Sequence, residues 1–198
     1  MVRKGDILYN PVSRATVTFI QTAADTAGRL LQLDVSIAPG GSLCNMPMHI
    51  HPKQQERISL KSGKIGVTMD GINRVYEAGE SVHIPAGTAH NCMIVSTQEE
   101  LNFLYEVTPA LHTETLVETV LAHFQGVQPA ADSSIPILQC ALTLSRHNNH
   151  FYLATYPVWI QKLVFKVLSP VALLMGYSAE IDYKKALFKQ SSPTFLYD

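Results

Sequence analysis

The sequence predicts a mainly β, antiparallel fold followed by a helical C-terminal extension. Three observations carry that expectation. Between residues 7 and 107, short apolar–polar alternations are punctuated by Gly and Pro turns, the pattern of a two-sheet or closed antiparallel architecture. Asp70-Gly71 joins two of these runs and is a strong two-residue hairpin signal. From about Thr108 the apolar period lengthens from that of a strand to that of a helix. The expected division is a β unit over residues 1–110 and a helical extension over 111–198, packed on the first unit.

The first strands are expected at Ile7–Asn10 and residues 14–21, where β-branched residues flank a turn at Pro11. Residues 23–28 form a polar hairpin tip. Over residues 29–38, Leu31, Leu33, Val35 and Ile37 share one face, and Pro39-Gly40-Gly41 ends the run. A loop over 42–47 leads to a strand carrying His49 and His51, whose spacing of two puts both imidazoles on one face. After Pro52, Glu56, Ile58 and Leu60 alternate with Arg57, Ser59 and Lys61, so the carboxylate takes the apolar side. Ser62-Gly63 turns the chain. Ile65, Val67 and Met69 alternate before the hairpin, and residues 72–76 return from it. Ser81–Ile84 is stopped by Pro85-Ala86-Gly87. His90, Cys92 and Ile94 then share a face, and residues 101–107 close the series.

Beyond Thr108, Leu116, Val117, Val120, Leu121 and Phe124 form a helical stripe opposite Glu114 and Glu118. Residues 126–136 read as a linker and 137–146 as a second helix. Residues 157–168 read as a third, with Ile160, Leu163, Val164, Val167 and Leu168 on one side and Gln161, Lys162 and Lys166 on another. Ser169-Pro170 fits the cap and first position of a fourth, short helix ending at Gly176. Residues after Ile181 are expected to be loosely ordered. Packing on the β unit is the leading expectation for these helices. A dimer contact or a lid comes next, and peripheral membrane contact last, because Lys162 and Lys166 are few for an interfacial helix.

Composition removes several classes. The formal charge is −1, with 15 basic and 16 acidic residues and no basic stripe, so nucleic acid is not an expected partner. Charged residues make up 16%, below the roughly 25% of average chains, which points to surface hidden in an oligomer such as a homodimer. Light scattering that finds a monomer at low concentration would remove that expectation. Three cysteines and an opening decapeptide without an apolar run predict a cytoplasmic protein with no disulfide framework. No window is apolar enough for a membrane span.

His49, His51, Glu56 and His90 are the candidate metal ligands: three imidazoles and one carboxylate, carried on three separate strands, suit a borderline divalent ion. A carboxylate facing inward is costly unless paired or coordinated. The ligand types leave Fe, Mn, Ni, Zn, Co and Cu open.

The order His49-x-His51, Glu56, Gly63, and then Gly79, Pro85-x-Gly87, His90, resembles the two motifs of the cupin family. The family's leading glycine would fall at Leu43, where Gly40 and Gly41 are the nearest. Its closing asparagine would fall at Ile94, where Asn91 is the nearest. The resemblance covers roughly residues 6 to 108. It implies a jelly-roll barrel, the same four residues as ligands of one metal ion, and a small organic molecule bound in the barrel. Family members with these ligands include dioxygenases, isomerases and decarboxylases, so an enzyme of dioxygenase or isomerase type is expected, with Glu56 as a candidate base. A non-catalytic ligand-binding or sensing protein is the alternative. Cys92 is expected to be a small core residue beside the cavity, and Tyr76, Phe103 and Tyr105 core aromatics. Gln54 and Gln55 are either donors behind the ligands or a solvated loop. His83 is expected at the surface or behind the ligands, His112, His123, His147 and His150 are expected to be surface or capping residues, and Cys44 carries no assigned role.

Overall fold

The computed structural model describes residues 2–42, 47–95, 98–123, 137–147 and 150–184. Eleven strands and three helices are found among them. The alternation read from the sequence places the strands closely: β1 is Ile7–Asn10, β2 Ala15–Gln21, β3 Leu31–Ile37, β4 His49–Ile50 and β5 Gln55–Ser62. They are followed by β6 Lys64–Met69, β7 Ile72–Glu77, β8 Ser81–Ile84, β9 Ala89–Ile94 and β10 Leu101–Thr108. The strands pair antiparallel in two sheets. One has the order β1-β2-β3-β10-β5-β8, and the other runs β11-β4-β9-β6-β7, where β11 is Tyr152–Leu153. The fold is mainly β with C-terminal helices, as expected.

The core lies where the inward residues of both sheets meet. Phe19, Leu31, Leu33 and Ile37 from one sheet and Ile65 and Val67 from the other are almost fully buried. Burying such side chains is the main stabilising term. On β5 the inward residues are Glu56, Ile58 and Leu60, so one carboxylate sits in an otherwise apolar row. Gly63 has a φ of +76°, and a Cβ there would lie 3.0 Å from backbone atoms of residues 100 and 101, so the turn after β5 takes only glycine without strain.

The helices are α1 Thr113–His123, α2 Ile137–Arg146 and α3 Val158–Leu174. Three expectations are corrected here. Glu114 and Glu118 are buried, not solvated. Glu114 Oε2 accepts from the Ala23 amide at 2.7 Å, and Glu118 accepts from the amides of Val2 and Tyr183 at 3.2 and 3.3 Å. These carboxylates fasten α1 to the start and end of the described chain. Pro170 does not open a separate helix but lies inside α3. The stripe on α3 is also turned outward: Gln161, Phe165 and Ala172 are buried, while Leu163, Val164 and Val167 are exposed.

Gln161 shows why. Its side chain accepts from the Leu153 amide at 2.9 Å and donates to the carbonyls of Leu153 at 2.8 Å and Tyr156 at 2.7 Å. It thus satisfies the outer backbone groups of β11, which an edge strand would otherwise leave unpaired. Residues expected to be loose after Ile181 include Tyr183, whose hydroxyl bonds the amide and the carbonyl of Tyr9 at 2.8 Å each. The linker over 126–136 and residues 185–198 lie outside the described residues.

Candidate metal centre

The four candidate ligands come from both sheets. His49 on β4 sits directly opposite His90 on β9 in the antiparallel pairing, His51 follows one residue after β4, and Glu56 projects inward from β5. Their donor atoms all lie within 4.8 Å of one another. His90 is 1% exposed, Glu56 4%, His49 5% and His51 6%. The turn that brings them together is tied at one point: the amide of Gly87, in the Pro85-x-Gly87 turn, donates to the His51 carbonyl at 2.9 Å.

Each imidazole is held from behind by a backbone carbonyl. Nδ1 of His49 contacts the Pro47 carbonyl at 2.8 Å, that of His51 the His150 carbonyl at 2.8 Å, and that of His90 the Thr88 carbonyl at 3.0 Å. A carbonyl only accepts, so each Nδ1 carries the proton and donates it. The neutral rings therefore present an Nε2 lone pair, which is the form a metal requires. His90 Nε2 lies 2.9 Å from Glu56 Oε2, and His51 Nε2 lies 3.2 Å from Glu56 Oε1. Despite the short distance, His90 Nε2 makes no hydrogen bond of acceptable geometry and is a buried atom without a partner. Buried polar atoms without a hydrogen-bond partner are rare, and a cation held by these four groups would supply one.

The electrostatics favour neutral His49 and His51 beside a fixed carboxylate, with His90 the exception. Burial, then the neighbouring charges of His90 and His51, push His49 down to about 4. Burial also lowers His51, more than Glu56 raises it. For Glu56, burial acts upward, but the contact with His90 and the charges of His51 and His90 outweigh it and hold the carboxyl at about 2. Burial would lower His90 too, yet its contact with Glu56 leaves it raised.

These shifts fix how the metal-free protein responds to acid. His49 takes up a proton in the unfolded chain near its ordinary value of 6.5 and in the folded one only near 4. The stability it contributes is present above that ordinary value and is lost as pH falls toward 4. Lowered His147 acts in the same window. Glu56 adds a loss between its ordinary 4.5 and about 2. Raised His90 works the other way, its contribution fading as pH rises through its folded value, but it stands against several lowered histidines. Calorimetry of chelator-treated protein should show the melting temperature falling between pH 7 and pH 4. A flat or rising curve would contradict the burial of neutral imidazoles.

Sequence reading missed three participants, Tyr105, Phe151 and the His150 backbone, and left a fourth, Gln54, open between a donor behind the ligands and a solvated loop; the structure makes it a donor. Tyr105 was expected in the core, but its hydroxyl donates to Glu56 Oε1 from the neighbouring strand β10. Burial first, and then the Glu56 charge, raise its pKa well above the ordinary value, so it remains a donor. Gln54 is 1% exposed and donates to the carbonyls of Pro109 and Ala110 and to Thr113 Oγ1 at 2.7–3.1 Å, tying the start of β5 to the start of α1. It also neighbours His51 and raises that imidazole's pKa. Phe151, next to β11, stacks on His49 with centroids 4.8 Å apart at 23°, and meets His51 edge-on at 5.6 Å. The His150 backbone holds His51, as above.

The remaining candidates divide. Cys92 is pushed up to about 12 by burial and then by the Glu56 charge, so its thiol stays protonated. Gln55 and His83 are exposed and lie 3.4 Å apart on the outer side. His112 is exposed, but His147 is buried at 2%, which corrects its surface assignment. The three rings of His112, His150 and His147 sit in series with centroids 5.6 and 6.0 Å apart. The His123 side chain and Cys44 lie outside the described residues.

Comparison with known proteins finds the family model described as Cupin domain matching residues 33–105. A segment of 68 residues is 31% identical to quercetin 2,3-dioxygenase of Bacillus subtilis (strain 168), which is 34% of this chain and 20% of that protein. The chain thus matches about a fifth of that relative's length. Among solved structures, the Schizosaccharomyces pombe Cnp3 cupin domain aligns with TM-score 0.42 and 10% identity, covering 52% of this chain and 68% of that one. KdgF from Halomonas sp. aligns at 0.42 and 15%, covering 52% and 86%. The polyketide cyclase RemF from Streptomyces resistomycificus aligns at 0.41 and 22%, covering 55% and 78%.

Proposed function

From a chain that carries a cupin domain over residues 33–105, we propose a mononuclear metal protein in which His49, His51, Glu56 and His90 hold one divalent transition ion. The observation supporting this most strongly is the set of three Nδ1–carbonyl locks, which leaves three Nε2 atoms and one carboxylate gathered within 4.8 Å. Nitrogen and oxygen donors in this ratio suit Fe, Mn, Ni, Zn, Co or Cu without choosing among them. Plasma mass spectrometry of protein purified without chelator tests it. The expected result is about one transition ion per chain, and none at all would sink the assignment.

The reading extends to an enzyme of dioxygenase or isomerase type that acts on a small organic molecule in the barrel. A bound ion would supply Lewis-acid activation of an oxygen-bearing substrate. The chain's own residues would do the rest. Tyr105 and the two nearer histidines hold Glu56 as a carboxylate, and the buried rings exclude water from it. With its pKa held at about 2, Glu56 is a weak base while those contacts last. It serves as the proton acceptor only when it moves off His51 and His90.

A non-catalytic binder or sensor is the second reading, and closure of the site favours it: all four ligands are at most 6% exposed and Phe151 covers His49. Oxygen uptake and product analysis across phenolic, sugar and keto-acid compounds separate the two, phenolics first because of the partial likeness to a quercetin dioxygenase. Turnover supports the enzyme; a binding shift without turnover supports the sensor.

We treat residues 1–110 as the barrel and 111–198 as the extension, whose β11 adds to the edge of the five-stranded sheet at β4. The free thiols of Cys92 and Cys140 suit a reducing cytoplasm. No helix among the described residues is long and apolar enough to cross a membrane. A homodimer would use the outer face of the five-stranded sheet, where Val75, Met93 and Val95 are exposed around Gly66. Light scattering at low concentration tests that contact.

A further inference from the structure

The outward face of α3 is a feature that the proposed metal centre does not explain. Trp159, Leu163, Val164, Val167, Val171 and Leu174 are exposed, Trp159 to 67% and Leu174 to 89%. At about 100° per residue these six positions span roughly 140° of the helix surface. The buried residues, Gln161, Phe165 and Ala172, occupy a much narrower arc on the opposite side. Among the described residues, the fully buried seam of the helix is therefore narrow, and much of its apolar side faces outward.

We infer that this face is a docking surface for an anionic lipid membrane, with α3 lying in the plane of the interface. Charge and shape both favour lipid over a second copy of the chain. Lys162 and Lys166 are exposed at one border of the apolar arc, and α3 contains no acidic residue. The Lys162 ammonium also lies over the Tyr152 ring, 5.8 Å from its centroid, and the residue is exposed. Glu180, which follows the helix, is already paired with Arg146 at 3.1 Å. Two copies packed through α3 would bring these lysines together with no carboxylate from either helix to meet them. An anionic headgroup layer meets both lysines at once. The arc is also wider than the two-position stripe that a helix–helix seam buries, and a fluid apolar phase covers a broad arc better than one partner helix does. At 17 residues α3 is too short to span a bilayer but about 25 Å long, enough to lie along its surface. Two lysines are few, which ranked this reading last from sequence; the exposed apolar width supplies what charge alone does not.

Trp159 is the only tryptophan of the chain, so its emission reports on α3 directly. The full-length protein is mixed with phosphatidylcholine vesicles with and without added phosphatidylglycerol. Flotation with the anionic vesicles and a blue shift of Trp159 emission are expected, both weakened by salt. Leu163→Glu with Val167→Glu should lower partitioning at least about tenfold. Lys162→Ala and Lys166→Ala should each lower it about fivefold at low salt. Because these side chains are exposed, circular dichroism and metal content should match the parent. Emission that stays unchanged while the protein remains at the bottom of the gradient overturns the inference. So does a dimer in light scattering that L163E with V167E dissociates while vesicles bind nothing.

Discussion

Replacing Glu56 with Ala should empty the centre of metal and make the melting temperature insensitive to chelator. The carboxylate is the only anionic group among the four ligands and the point on which His51, His90 and Tyr105 converge. Its loss leaves three imidazoles whose mutual repulsion already contributes to holding His49 at about 4. Changing groups behind a ligand typically lowers metal affinity about 10–100-fold, and removing the ligand itself should exceed that. The metal-free variant is also destabilised, because the Tyr105 hydroxyl loses its acceptor in a buried place, at a cost of about 1–3 kcal/mol. Two measurements separate these effects. Bound metal raises the parent's melting temperature by mass action, so chelator should lower it in the parent and not in E56A. Tyr105→Phe keeps all four ligands and should bind metal with affinity reduced by about 10–100-fold. Were the cluster only a hydrogen-bonded core network, chelator would leave the parent unmoved and both variants would differ from it in stability alone.

The strands and the candidate ligands were legible because their signals are local. Alternation along residues 55–62 put Glu56 on the inner face before any pairing was known, and the structure finds it buried between Ile58 and the end of β5. His49 and His51 announce themselves by a spacing of two. What the sequence hid lies in pairings that no periodicity records. Tyr105 looks like any core aromatic until the β5–β10 register sets it beside Ile58, within reach of Glu56 two residues along. The lock on His51 is a backbone carbonyl 99 residues away, which no side chain encodes. Strand β11 has two residues, too few for an alternating pattern to show.

The same logic explains the helices. Polarity suggested that Gln161 faces water and that Leu163 and Val167 face the protein, and the reverse holds. A buried amide that satisfies two backbone groups of an edge strand and a third just beyond it outweighs the cost of its own desolvation. Glu114 and Glu118 follow suit, each accepting from amides that would otherwise lack a partner. In this chain buried polar side chains fasten α1 and α3 to neighbouring backbone, so the hydrophobic pattern alone assigned the wrong faces.

Phe151→Ala should be the most damaging single change outside the ligand set. The ring is 4% exposed, stacks on His49 and meets His51 edge-on, and it is carried by the segment whose β11 extends the sheet at β4. Truncating a buried phenylalanine to alanine costs about 3–5 kcal/mol, which for a domain near this size lowers the melting temperature by roughly 10 °C. Stability alone would not show that the extension guards the centre, so a second readout is needed. Burial is the largest cause of the low His49 pKa. Opening that side should let the imidazole rise toward 6.5 in the metal-free variant, a shift that NMR titration of the ring would register. Chelator should also strip metal from F151A faster than from the parent. Phe151→Leu, which keeps apolar cover but loses the stacked ring, should recover most of the stability and much of the slow exchange. If F151A melts like the parent, or melts lower while His49 titration and metal release stay unchanged, then Phe151 is a packing residue and the extension does not control access to the ligands.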